Sequence, residues 1–328
     1  MKTMKKCAAI VLALLIGVVA LAGCGTQEKP PAETPSGGKI SVVATIFPPY
    51  DFARAIAGDL VAQGKVELVM LLPPGSESHS FEPTPQDIIA IQNCDVFLYV
   101  GGESDEWVND ILASMDTSRM RIVPLVDCVE LVEEEIKGSM QDEEEAEEEG
   151  EEPEYDEHVW TSPRNAKLIV QKISSALCEA DPGDADIYKA NTAAYLAKLD
   201  ELDAQFRAVV DGAARKTIVF GDRFPFRYFV DAYGLKYDAA FPGCATETEA
   251  SAKTVKGLID RVKAEGIPVV FHIELSNEKI ADAISEATGA KVLLLNACHN
   301  LTKADFDAGK TYLDFMAANV EALKEALG

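Results

Sequence analysis

Four histidines are the rarest chemistry in this 328-residue chain: His79, His158, His272 and His299. Neutral imidazole suits zinc and other late divalent metals, and zinc characteristically takes four ligands in a tetrahedron. His79 sits in the turn-rich stretch Pro73-Pro74-Gly75-Ser76-Glu77-Ser78-His79. His158 follows a run from Glu133 to Glu157 that holds fifteen acidic residues against one lysine, Lys137. His299 follows the last apolar run of strand length, Lys291 to Asn296. These three are the expected metal ligands, with Asp222 or a water in the fourth position; Asp222, beside Arg223, is equally suited to a plain ion pair. His272 lies inside the apolar Val269-Val270-Phe271-His272-Ile273, so support of a ligand or simple packing is as good a reading there as ligation, and Glu274 is a second candidate for support.

These residues must be positioned by regular elements, and the apolar patterning supplies them. Strands are expected at Lys39–Ile46, Val66–Leu72, Asp95–Val100 and Arg121–Leu125, with helices opening at Pro48-Pro49, near Thr84 and around Trp107. After a helix at Asn165–Glu179, a long one is expected from about Asp184 to Ala214, with Tyr188, Tyr195, Leu199, Leu202, Phe206 and Val209 at helical spacing. The alternation then resumes with strands Thr217–Gly221, Leu235–Phe241, Ile267–Ile273 and Lys291–Asn296, separated by helices and closed by a final helix Asp307–Leu327. Strand and helix in regular order imply parallel sheets covered on both faces. The expected fold is therefore α/β: two lobes, each a small parallel sheet flanked by helices, joined by one long helix. Ligands in such sheets bind beyond the carboxyl ends of the strands, which places the histidines in the cleft between lobes.

Composition narrows the partners. The net charge is −25, and the acidic run supplies more than half of it. Nucleic acid is excluded as an expected partner because its binding is dominated by Lys and Arg on phosphates. The acids between Glu133 and Glu157 are read as a mobile, weakly binding cation collector. Lys2, Lys5 and Lys6 precede the apolar run Cys7–Ala22, too short for a bilayer core and proportioned like a secretory leader. Leu21-Ala22-Gly23-Cys24 resembles the lipobox of bacterial lipoproteins, which makes Cys24 the expected lipidated residue and residues 25–38 a Pro/Gly-rich tether. The resulting division is leader 1–23, tether 24–38, first lobe 39–182 with an acidic loop at 130–157, linking helix 183–214 and second lobe 215–328.

Pro73-Pro74-Gly75 through His79 to Glu82-Pro83-Thr84-Pro85, and Glu157-His158-Val159-Trp160 followed by Ser162-Pro163-Arg164-Asn165-Ala166, resemble two motifs of a known family. The family is the cluster A-I solute-binding proteins, the zinc and manganese receptor lipoproteins of bacterial ABC importers. Tyr233-Gly234-Leu235, Glu249-Ala250-Ser251-Ala252-Lys253 and Thr288-Gly289-Ala290-Lys291-Val292 continue the similarity. The resemblance implies two α/β lobes with a metal held between them, delivery to a permease, and, from the acidic insertion, zinc ahead of manganese. Two family ligands lack counterparts: neither His nor Glu stands at Gly221-Asp222-Arg223, and Asn296 replaces an expected aspartate. His299 is the substitute that chemistry suggests.

Of seven cysteines, Cys7 leaves with the leader and Cys24 carries the lipid, leaving Cys94, Cys128, Cys178, Cys244 and Cys298. Cys244 and Cys298 both follow second-lobe strands, so a disulfide between them is an expectation, with free thiols or ligation by Cys298 as alternatives. Neither HExxH, GxSxG nor a P-loop is present. The competing readings are a zinc hydrolase using Glu77 or Glu274 as general base and a surface protein of cell adhesion. The sequence favours a monomeric, extracytoplasmic, membrane-anchored receptor that carries Zn2+, or alternatively Mn2+ or iron, to an ABC permease.

Overall fold

The computed structural model describes residues 38–135, 138–142, 155–245 and 250–328. The expected leader, Cys24, the tether to residue 37 and the acids at 143–154 lie outside the described residues. Two parallel four-stranded sheets organise the rest. In the first, β1 (Ile40–Ala44), β2 (Val66–Met70), β3 (Val96–Tyr99) and β4 (Arg121–Pro124) lie in the order β2-β1-β3-β4. In the second, β5 (Thr217–Phe224), β6 (Lys236–Pro242), β7 (Val269–His272) and β8 (Lys291–Leu294) repeat that pattern as β6-β5-β7-β8. Both sheets carry helices on their two faces, which is why β3 is an unbroken apolar run with every residue buried.

Local chemistry sets the helix ends close to where the patterning puts them. The helix Pro85–Gln92 starts on a reciprocal box in which Thr84 and Asp87 each bond the other's backbone N–H, a cap that contributes about 1 kcal/mol. One expectation fails at the C-terminus. The helix expected at Asp307–Leu327 begins only at Tyr312, and a separate short helix, Lys303–Asp307, ends where it was to start, because Gly309 takes φ +71° and Thr311 opens the second helix with a capping box of its own.

The long helix is Ala185–Asp211, 27 residues and therefore about 40 Å. It buries Tyr188, Tyr195, Leu199, Leu202 and Phe206 as their spacing requires, and Val210 where Val209 was expected. It touches elements from both halves: Asn191 Nδ2 donates to the Ile56 carbonyl at 2.9 Å, while the Phe206 ring packs 4.9 Å from Phe229 and the Tyr233 hydroxyl donates to Asp203 at 2.8 Å. In place of two separate cores, one apolar cluster runs from Ile40 through Trp160 and Phe206 to Leu327. Smaller clusters around Phe97 and Val270 cover the far faces of the two sheets.

Candidate metal centre

His79 lies in the loop after β2, His158 immediately before the turn Val159–Thr161, and His299 in the loop after β8. One ring nitrogen from each lies within 4.8 Å of those from the other two. Ring centroids stand 5.5 Å apart for His79 and His158, 5.4 Å for His79 and His299, and 4.8 Å for His158 and His299. The loops are stitched together behind them. Asn300 Nδ2 donates to the carbonyls of Pro73 and Ser76 at 2.8 and 2.9 Å, Gly75 N–H donates to Leu301 at 2.9 Å, and the Trp160 indole donates to Ala297 at 2.7 Å.

His158 and His299 are anchored through Nδ1 directly to an acid, and His79 is anchored to one through the Ser104 hydroxyl. His79 Nδ1 bonds the Ser104 hydroxyl at 2.8 Å, and that hydroxyl donates in turn to Glu157 Oε1 at 2.6 Å. His158 bonds Asp156 Oδ1 twice, through its backbone N–H at 2.8 Å and through Nδ1 at 3.1 Å. His299 repeats the arrangement on Glu274 Oε1, at 2.8 and 3.1 Å, while the other oxygen of Glu274 accepts the Ala297 N–H at 2.7 Å. A carboxylate accepting from Nδ1 leaves the lone pair on Nε2. All three Nε2 atoms are buried and without a hydrogen-bond partner. A buried polar atom left unpaired costs about 1–3 kcal/mol, so three side by side call for an acceptor of lone pairs, which is a cation.

The charges around the rings agree with that reading. Burial works against a charge on His158, but Asp156, with Glu157 and Glu134 beyond, outweighs it and raises the imidazole above its ordinary range. For His299 burial dominates, and the neighbouring histidines add to it, so its pKa falls to about 4 despite Glu274. Burial opposes the Glu157 charge as well, yet hydrogen bonds from His79 and Ser104 and the nearby imidazoles bring it down to about 2. The carboxylates of Glu157, Asp156 and Glu274 thus lie behind the three imidazoles.

Other expected residues are placed elsewhere. β5 continues past Gly221 to Phe224, so Asp222 lies within the strand and not at its mouth; its oxygens accept the backbone N–H groups of Arg223 at 2.8 Å and Ile273 at 3.1 Å. It has no oxygen in the histidine cluster. Nor does its carboxylate pair with the Arg223 guanidinium, which binds Glu77 across the cleft at 2.8 Å. His272 ends β7 with Nδ1 on the Ile273 carbonyl at 3.0 Å and supports none of the three histidines. The disulfide expectation is also corrected: Cys244 and Cys298 are both free thiols, the latter fully buried with Sγ toward the Asn296 carbonyl.

Asp156 and Glu134, which the sequence marks only as members of the acidic run, and Glu157, which it also places in the motif of His158, all prove to be parts of the site. Glu134 folds back so that Oε1 accepts the Gly243 and Cys244 N–H groups at 2.6 and 3.2 Å, and burial, with Asp156 nearby, raises its pKa to about 7. An aspartate two residues before a histidine was a legible signal for the Asp156 contact. Ser104 carries none, because its partners lie 25 and 53 residues away.

Known proteins resemble this chain over most of its length. A family model described as zinc-uptake complex component A, periplasmic (ZnuA), matches residues 42–326. The chain is 32% identical to the high-affinity zinc uptake system protein ZnuA of Bacillus subtilis over 309 residues, covering 94% of this chain and 93% of that protein. It is 32% identical over 294 residues to the zinc-binding protein AdcA of Streptococcus pyogenes, covering 88% of this chain but only 56% of AdcA. Among solved structures, the Zn(II)-bound ZnuA-like domain of Streptococcus pneumoniae AdcA superposes with a TM-score of 0.71 at 28% identity, covering 88% of this chain and 99% of that domain.

Proposed function

Because the chain belongs to the periplasmic zinc-uptake component A family, we propose that it captures Zn2+ as cargo through His79, His158 and His299 and delivers it to an ABC permease. The observation that carries this reading is the set of three buried, unpartnered Nε2 atoms, each backed on the opposite ring nitrogen by an acid, directly for His158 and His299 and through Ser104 for His79. Imidazole donors favour zinc over manganese, whose preferred ligands are oxygens. The segments 39–182 and 215–328 act as two halves meeting over the ion, with 183–214 as their spine, and the bidentate pairing of Arg223 with Glu77 helps to hold them together. Release to the permease then requires the halves to part.

The same reading makes the protein a carrier and not a catalyst: the ion is enclosed by protein groups, and no bond in a substrate need be made or broken. Cys24 serves as a lipid anchor on the extracytoplasmic face of a membrane, and the receptor acts as a monomer. No helix among the described residues is long and apolar enough to cross a membrane. Elemental analysis of the purified protein, followed by zinc and manganese titration, tests the proposal. The expected result is one tightly held zinc per chain and far weaker manganese; manganese bound as tightly as zinc would sink the zinc assignment.

A further inference from the structure

We propose that Cys244 is a thiolate ligand of the cargo ion, the fourth donor beside His79, His158 and His299. This rests on the receptor reading above, which leaves one tetrahedral position unassigned once Asp222 is committed to backbone N–H groups.

Cys244 Sγ, a Glu157 carboxylate oxygen and a His158 ring nitrogen lie within 4.8 Å of one another. This second donor group shares His158 with the three-histidine group, and His158 is fully buried with Nε2 unpartnered. Among the described residues no other cysteine joins such a group. Cys128 and Cys298 turn toward the backbone carbonyls of Pro124 and Asn296.

The chain is built to bring this thiol to the ring. β6 ends at Pro242, and Glu134 then fastens the following turn by accepting from two successive N–H groups, those of Gly243 and Cys244. Gly243 permits the approach. A Cβ at that position would stand 3.0 Å from His158 Cε1, the carbon between the two ring nitrogens, and 3.2 Å from Glu134 Oε1. Donors around a tetrahedral zinc, with bonds of roughly 2.0–2.3 Å, stand roughly 3.5 Å apart. Cys244 shares such a group with His158 but not with His79 or His299, so coordinating the same ion requires its side chain to turn toward those two rings as the ion binds. As the sulfur–zinc bond forms, the thiol proton is released to solvent. Three imidazoles and a thiolate make a softer donor set than one completed by a carboxylate, which strengthens discrimination against Mn2+.

X-ray absorption at the zinc edge, on the full-length zinc-loaded protein, reads the donor set directly. The expected spectrum contains one sulfur at about 2.3 Å with nitrogens at about 2.0–2.1 Å. In Cys244→Ser the sulfur shell disappears, and in Cys298→Ser it stays. A wild-type shell of nitrogen and oxygen alone, or a sulfur that survives Cys244→Ser, overturns the assignment while leaving the receptor reading intact. A wild-type protein that retains no zinc overturns both, and because the decisive spectrum is that of the wild type, it does not depend on the folding of a variant.

Discussion

His272 and His299 emerge from the same edge of the second sheet, where His272 pairs in register with Leu294 at the end of the strand that leads to His299. Both were legible candidates, and they have opposite fates. His272 remains partly exposed and spends Nδ1 on the adjacent Ile273 carbonyl, with Glu278 at 3.9 Å. His299 is buried, its Nδ1 faces the carboxylate of Glu274, and its Nε2 faces two other imidazoles with nothing to bond. Asp222, which accepts the N–H of Ile273 next to His272, is likewise consumed by backbone N–H groups. Proximity to a strand end therefore does not make a ligand; one nitrogen must be anchored and the other left desolvated and unpaired.

The sharpest way to break this comparison is truncation. His158→Ala and His299→Ala should each weaken zinc binding by more than the roughly 10- to 100-fold that loss of an orienting partner costs, whereas His272→Ala should leave it nearly unchanged. Chelator competition reads all three, and a His272 variant as weak as the His299 variant would end the distinction. The next effect in size belongs to the anchors. Asp156→Asn and Glu274→Gln should each cost roughly 10- to 100-fold in zinc affinity with the three rings still present, because both lose the carboxylate that holds Nδ1–H.

Acid should weaken binding in a particular order. Protons compete with the ion for imidazole, so affinity falls as pH falls. His158 is raised above the ordinary value of 6.5 and should take up its proton first, so the decline begins above that pH; His299, at about 4, should remain neutral far longer. Zinc titrations across this range check the sign, and an affinity that is flat down to pH about 5 would contradict it. In Asp156→Asn the largest raising influence is gone, and the onset should move to lower pH.

The acidic run divides in the same manner as the two histidines. Its ends come together in an antiparallel bridge between Glu133 and Tyr155, and Glu134, Asp156 and Glu157 are built into the site by named bonds. Only residues 143–154, outside the described part, remain as a candidate cation collector. Deleting 143–154 should have the smallest effect, leaving the tight site within about a factor of two and lowering the number of weak sites seen by calorimetry. Collapse of tight binding would mean that this segment supplies ligands itself.

Much of the molecule was settled by sequence because the interactions responsible are local. Apolar runs of strand length, helical apolar patterns, the Thr84–Asp87 cap and the strand–helix alternation give two parallel sheets wherever the chain is placed. The rarity of histidine and the motifs around His79 and His158 likewise single out candidate ligands before any coordinates exist. Tertiary structure decided which candidates meet. Ser104 and Glu157 are 53 residues apart, His79 and His299 more than two hundred, and no local pattern records that their loops are stitched to one another. It also decided the fates of Asp222 and His272, because whether a polar atom is spent on backbone or left buried and unpaired depends on neighbours that only the folded chain supplies.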